Sequence, residues 1–174
     1  MQISMYQASA VSFANVLSNL LVVLKKAEAH AVAKKIDLSV FVNARLAPDM
    51  FPLVRQVQIA TDMSKGCVSR LAGLEPPKYE DNEQTFPEIY ARLEKTIAHM
   101  HSFKPAQIDG SEDRKIELQQ RTGTRTFKGM GYLLDYVYPN FYFHATTTYA
   151  ILRHNGVDVG KGDFMGNPEG VRRS

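Results

Sequence analysis

Three polar side chains interrupt otherwise apolar stripes, and they are where chemistry is sought first. His144 falls in a stripe with Leu134, Val137, Phe141, Thr148 and Ile151. Asn140 precedes it by four residues, so on a helix the two lie on one side, one turn apart. Gln56 sits on a second seam, with Leu53, Ala60, Met63 and Cys67. A buried polar group costs roughly 1–3 kcal/mol unless it is paired, so all three need partners. An imidazole in such a setting can ligate a metal or act as a base. The two amides can orient it, bind a metal through a carbonyl oxygen, or hold a ligand. A plainer role stands beside these: a satisfied buried histidine whose amide partners fix helix register. One His, one Asn and one Gln make a poor zinc set, because zinc prefers Cys, His, Asp or Glu.

The remaining reactive residues read as ordinary. His99 and His101 fall in the last turn of a helix, where a cation complements the dipole, and His154 ends another. His30 lies among Lys25, Lys26, Lys34 and Lys35, a solvated charged face. Cys67 is the single cysteine. It excludes an internal disulfide framework and a multi-cysteine zinc site. With no His near it in sequence, it reads as a buried, inert thiol. Asp62 and Lys65 are expected to face solvent. Gly160-Lys161-Gly162 lacks the spacing of a phosphate loop, and no nucleophile elbow, metalloprotease or Walker motif occurs. Tyr132, Tyr136, Tyr138, Phe141, Tyr142, Phe143 and Tyr149 exceed what one stripe can bury. The surplus is expected to line a pocket or a subunit interface, where aromatics are enriched.

Four helices must position these residues. The first runs roughly over 4–33, with Phe13, Val16, Leu17, Leu20, Leu21 and Leu24 at three- and four-residue steps. The second follows Asp49 as N-cap, with Pro52 in its first turn and Gly73 as its stop. Its stripe is Val54, Val57, Thr61, Ser64, Val68 and Leu71. The third starts at a capping box of Thr85 and Glu88 and carries Phe86, Ile89, Leu93, Ile97 and Met100. From Arg114 to Phe127 the period drops to two, which predicts a short β-hairpin turning at Thr122-Gly123-Thr124. The fourth helix covers about 130–155, must kink or break at Pro139, and is capped at Asn155-Gly156. The tail 157–174 reads as extended loop, packing down through Phe164 and Met165. The expected fold is all-α: an up-down four-helix bundle, one domain over 1–174, with the hairpin and a longer crossover before the last helix.

The chain has 174 residues, 44% hydrophobic and 22% charged, with a net charge of +3. This mix excludes a disordered, collagen-like or rod-like chain and shows no nucleic-acid footprint. The N-terminus lacks the basic start and apolar core of a secretory signal. The longest strongly apolar run, Leu20 to Leu24, falls short of the about 20 residues a membrane span needs. A soluble, cytoplasmic protein is expected.

The run Pro139-Asn140-Phe141-Tyr142-Phe143-His144-Ala145-Thr146-Thr147-Thr148-Tyr149-Ala150-Ile151-Leu152-Arg153-His154-Asn155-Gly156-Val157 is similar to the C-terminal signature of the bacterial domain-of-unknown-function family 1993. Gly160-Lys161-Gly162-Asp163-Phe164-Met165-Gly166 and the run from Phe51 to Asp62 fit it too. That family resembles the DinB/YfiT-like superfamily of four-helix bundles, many of them metal-binding. Known superfamily members include thiol-dependent transferases and isomerases. There, a helix-two histidine joins a His-x-x-x-His pair on the last helix. The matching positions here are Gln56, Asn140 and His144, so two amides replace two imidazoles. The resemblance implies that the three meet in space around a small-molecule pocket or a weakly held divalent metal ion. His144 would be the acid/base or the sole strong ligand. The alternative is a non-enzymatic interaction protein in which the trio only fixes register. A homodimer is the expected assembly, and whether the protein is an enzyme stays open.

Overall fold

The computed structural model describes residues 3–120 and 123–166. In chain order the elements are a π-helical turn at Gln7–Val11, α1 (Ser12–Lys34), α2 (Leu38–Asn43), α3 (Leu53–Leu71), α4 (Phe86–His101), α5 (Pro105–Ile108), β1 (Lys115–Gln120), β2 (Gly123–Lys128), α6 (Gly129–Gly131), a π-helical segment at Tyr132–Val137, α7 (Tyr138–His154) and α8 (Lys161–Met165). The four long helices close a ring in which α1 touches α4, α4 touches α3, α3 touches α7 and α7 touches α1. Each contributes its stripe to the core: Phe13, Leu17 and Leu20 from α1, Val57 and Val68 from α3, Ile89 and Leu93 from α4, Phe141 and Ile151 from α7. The stretch Gln7–Lys34 is long and apolar enough to cross a membrane by length and composition. Its apolar stripe is buried inside the bundle instead.

Helix directions follow from which residues meet. Gln56 pairs with His144 and Arg70 with Tyr132, so α3 runs antiparallel to the last helix. Thr61 pairs with Arg92 and Ser69 with His99, so α3 and α4 run parallel. Ala8 pairs with Tyr138 and Ser12 with Tyr142, so the first helix runs parallel to α7. The order is therefore up, down, down, up. The long crossover lies between α3 and α4, and not before the last helix as expected. Extended at about 3.3 Å per residue, the segment 72–85 reaches roughly 45 Å, more than the about 29 Å length of α3.

A charged cluster holds this crossover. Arg92 is 4% exposed, and its side chain donates to Thr61 Oγ1 at 2.7 Å, the Gln58 carbonyl at 3.3 Å, Asp62 Oδ1 at 2.8 Å and Glu83 Oε1 at 2.9 Å. It also donates to the Glu80 carbonyl, and Asp81 lies within ion-pair reach of both Arg92 and Arg55. Lys65 does not face solvent as expected. It is 6% exposed, bonds to Asp62 at 2.5 Å, and lies over the Tyr79 ring with Lys95 and Arg92. Its ammonium is tolerated because carboxylate and ring face replace its water.

The local signals hold in most places and fail in instructive ones. Thr85 and Glu88 form the capping box, and the N–H donors of Gln84 and Thr85 hold the Glu88 carboxyl below its usual range. Asp49 does not cap α3. Pro52 takes that position, and the Leu53 N–H bonds to the Ala44 carbonyl at 2.9 Å. Pro139 does break the regular ladder, and the Tyr132–Val137 π segment directly precedes it. A π turn holds more residues than an α turn, so the buried face moves from Leu134 to Leu133; Leu134 is 44% exposed. Asn155-Gly156 ends α7 with Gly156 at φ 85°, and Val157 N–H bonds back to Leu152. The hairpin pairs Ile116 with Phe127 and already returns at Gly123, opposite Gln120. Gly123 and Thr124 thus belong to β2, and Thr122 lies outside the described residues. The tail contains α8, whose Asp163 pairs with Lys26 at 2.6 Å. Phe164 packs on Tyr149, whereas Met165 is exposed; residues 167–174 lie outside the described residues.

Arg92→Ala is expected to destabilise the fold by about 3 kcal/mol, because it strands carboxylates and carbonyls that the guanidinium satisfies. Urea unfolding checks this; a loss below about 1 kcal/mol, ordinary for any substitution, means the cluster does not hold the crossover.

Candidate functional site

The seam between α3 and the last helix brings two of the three expected residues into contact. Gln56, 1% exposed, lies in the first turns of α3. Its Nε2 donates to the Phe51 carbonyl at 2.9 Å, and its Oε1 lies 2.6 Å from His144 Nδ1. A carbonyl oxygen only accepts, so the Phe51 bond fixes which end of the amide faces the imidazole. Oε1 is also only an acceptor, so His144 Nδ1 carries the proton and donates. In the neutral ring this leaves the lone pair on Nε2, which has no hydrogen-bond partner among the described residues.

The ring is held neutral. Burial lowers the His144 pKa below 6.5, and the nearby Arg55 guanidinium lowers it further. Phe143 stands edge-on to the imidazole at 5.2 Å, and Arg55 lies over the Phe51 ring. Phe51 and Phe143 are each more than half exposed; the Phe143 ring borders the half-buried imidazole, and the Phe51 carbonyl anchors its Gln56 partner. Asn140 shares the His144 side of the last helix, but its Nδ2 donates to the Tyr136 carbonyl at 2.6 Å. It bonds to neither Gln56 nor His144.

These donors do not fit a divalent metal. Gln56 spends both ends of its amide, His144 Nδ1 is a donor, and the Asn140 amide nitrogen faces its own helix. Nε2 and the Asn140 carbonyl oxygen remain, too few for a stable four-ligand site. Among the described residues no cluster of three or more His, Cys, Asp or Glu is placed to hold a metal ion.

The other reactive residues have structural surroundings. Cys67 is fully buried, and burial pushes its thiol pKa up. His99 does more than end its helix: it bonds to Ser69 at 2.9 Å and meets the Phe103 ring edge-on. His30 packs edge-on against Phe41. Pattern reading missed Arg70, further along the same seam; Met63 was already on that seam, and Tyr132 and Tyr136 were among the aromatics expected to line a pocket or interface. Gln56, Met63 and Arg70 follow at seven-residue steps on α3, nearly two turns each. A cavity of about 710 Å³ opens among Met63, Arg70, Tyr132, Tyr136 and the strand β1. The sequence signal was the Gln56–Met63 seam itself, which extends to Arg70 if one does not stop at the apolar residues.

Comparison with known proteins agrees with the fold. The family described as Domain of unknown function (DUF1993) matches residues 5–165. The chain belongs to that family. A crystal structure of a DinB family member protein from Shewanella denitrificans matches with a TM-score of 0.88 and 38% identity, over 97% of this chain and 95% of that one. No curated protein matches. The expected family and the DinB-like bundle are thus both found.

The low pKa of His144 has a consequence for stability. His99 is also held below 6.5, by burial and then by Lys65. In the unfolded chain both take up a proton as pH falls through about 6.5, before the folded protein does. Their contribution is complete above that pH and declines as pH falls through it toward the lower folded values. The urea midpoint is expected to fall between pH 7.5 and 5.5, and to fall less in His144→Gln. A midpoint that holds or rises contradicts the neutral, buried imidazole.

Proposed function

We propose that the chain is a small-molecule-binding bundle protein that presents one neutral imidazole to its ligand and needs no resident metal ion. The single observation that carries this is the Gln56–His144 hydrogen bond. It fixes the tautomer and leaves the Nε2 lone pair unclaimed among the described residues, on a half-buried ring beside the exposed Phe143. An imidazole that stays neutral near pH 7 has a free lone pair with which to accept a proton as a general base. Gln56 would position the ring, and Asn140 Oδ1, one turn away, would accept a hydrogen bond from the ligand. The superfamily's three-imidazole pattern would here have become one imidazole held by an amide. A cytoplasmic setting fits a lone buried thiol.

A second reading has its own observation. Phe51 and Phe143 are 55% and 56% exposed beside the same seam, which favours a homodimer closing over it. Analytical ultracentrifugation of wild type and Phe143→Ser decides this: a dimer lost on substitution supports it, and a monomeric wild type removes it.

The metal question separates the main reading from its nearest rival. Wild-type protein is expected to take up no stoichiometric zinc or nickel by calorimetry. The double variant Gln56→His, Asn140→His restores three imidazoles and is expected to bind one equivalent. One tight equivalent in wild type would overturn the metal-free reading. None in the double variant would show that the three positions do not converge.

A further inference from the structure

The cavity at the far end of the seam contains a guanidinium with no counter-ion. Arg70 is half-buried, and its Nη1 donates to the Tyr132 hydroxyl at 3.0 Å. Among the described residues no carboxylate lies within ion-pair distance of it, whereas the other half-buried or buried cations, Arg55, Lys65 and Arg92, each have one. A guanidinium carries five N–H donors, and a planar pair of them matches a carboxylate.

Helix capping does not explain this side chain. Arg70 lies in the last turn of α3, where a cation could serve the terminal carbonyls. The Leu71 carbonyl is instead served by Arg114 Nη1 at 2.6 Å. The Arg70 guanidinium folds the other way, back along the helix and across Gly66. A Cβ built on Gly66 would lie 2.5 Å from Arg70 Nη1. A glycine in mid-helix weakens the helix relative to alanine. Here the missing methyl is what lets the guanidinium lie flat against α3 beside Tyr132. The neighbouring cavity walls are partly apolar, from Met63 and Leu118, and aromatic, from Tyr132 and Tyr136. Glu75 and Glu117 also line the space, a charge setting that disfavours a polyanion.

We infer that this cavity binds a small monocarboxylate with an apolar or aromatic body, its carboxylate paired with Arg70 and hydrogen-bonded by the Tyr132 hydroxyl. This site lies apart from the imidazole and goes beyond the reading above, because a ligand this small cannot reach both. Arg70 and Gln56 are about 21 Å apart along α3, so the carboxylate anchor and the imidazole are separable by mutation.

The test titrates phenylacetate and phenylacetamide into the whole chain and follows backbone and arginine side-chain amide shifts by NMR. Phenylacetate is expected to bind saturably, at least tenfold more tightly than the amide, and to shift residues around Arg70. Arg70→Gln and Gly66→Ala are both expected to lose at least tenfold in affinity. Gly66→Ala is expected to melt no lower than wild type, because only a flexible side-chain end must move. His144→Ala is expected to bind phenylacetate as wild type does, so failure of the imidazole reading leaves this result unchanged. Equal binding of acid and amide, unchanged affinity in either Arg70→Gln or Gly66→Ala, or no binding of phenylacetate up to 10-fold excess over about 1 mM, the weak end of specific binding, would overturn the proposal.

Discussion

A buried amide that must satisfy both its ends is the constraint around which the site is organised. Gln56 is fully inside the α3–α7 seam, where an unpaired amide is expensive. One end is taken by the Phe51 carbonyl, just before α3 begins. The other is taken by an imidazole on the last helix. The amide therefore ties the entry of α3 to the middle of α7 and, with the same two bonds, sets the proton position on His144. Packing and chemistry share one interaction, so neither the register role nor the ligand role of His144 needs separate machinery.

The rest of the bundle keeps that pair in place. The π segment before Pro139 rotates the chain so that Leu133 and Val137 enter the core, and Asn140 is drawn onto the Tyr136 carbonyl. A regular α-helix would have continued the face through Leu134. On the opposite side, Arg92 and its carboxylates pin the crossover that allows α3 and α4 to run parallel. The up, down, down, up topology thus carries a buried, paired cation at its crossover in addition to its apolar stripes. Gly129 adds a local requirement: a Cβ there would lie 2.0 Å from the Ser111 carbonyl oxygen, where the hairpin rejoins the bundle.

Much of this was legible from residues alone, for reasons that can be named. The long helices, the hairpin and the Thr85–Glu88 box follow from local period and local hydrogen bonding, which neighbours in sequence dictate. Gln56 and His144 stood out because polar groups broke apolar stripes, and they do meet. Asn140 was placed on the correct face, but its partner is a carbonyl on its own helix, which no spacing argument separates from a cross-seam bond. Helix directions were not legible, because they depend on where a crossover can be held, and Arg92 reaches partners 9 to 34 residues away. Lys65 was misplaced for the same reason: only the folded crossover brings Tyr79 over it. The short helices α2 and α5 are too brief to show a period, although Asp37, which accepts from Ser39 N–H at 2.8 Å, does cap the first of them.

The central claim is that Gln56 holds a neutral His144 with its proton on Nδ1 and a free lone pair on Nε2. Nitrogen-15 NMR of the histidine side chains at pH 7.5, assigned by His144→Gln, measures this directly. The account predicts a protonated-type Nδ1 and an unprotonated-type Nε2 for His144, changed to a mixture of tautomers in Gln56→Ala. A proton on Nε2, or a doubly protonated ring at that pH, would contradict it.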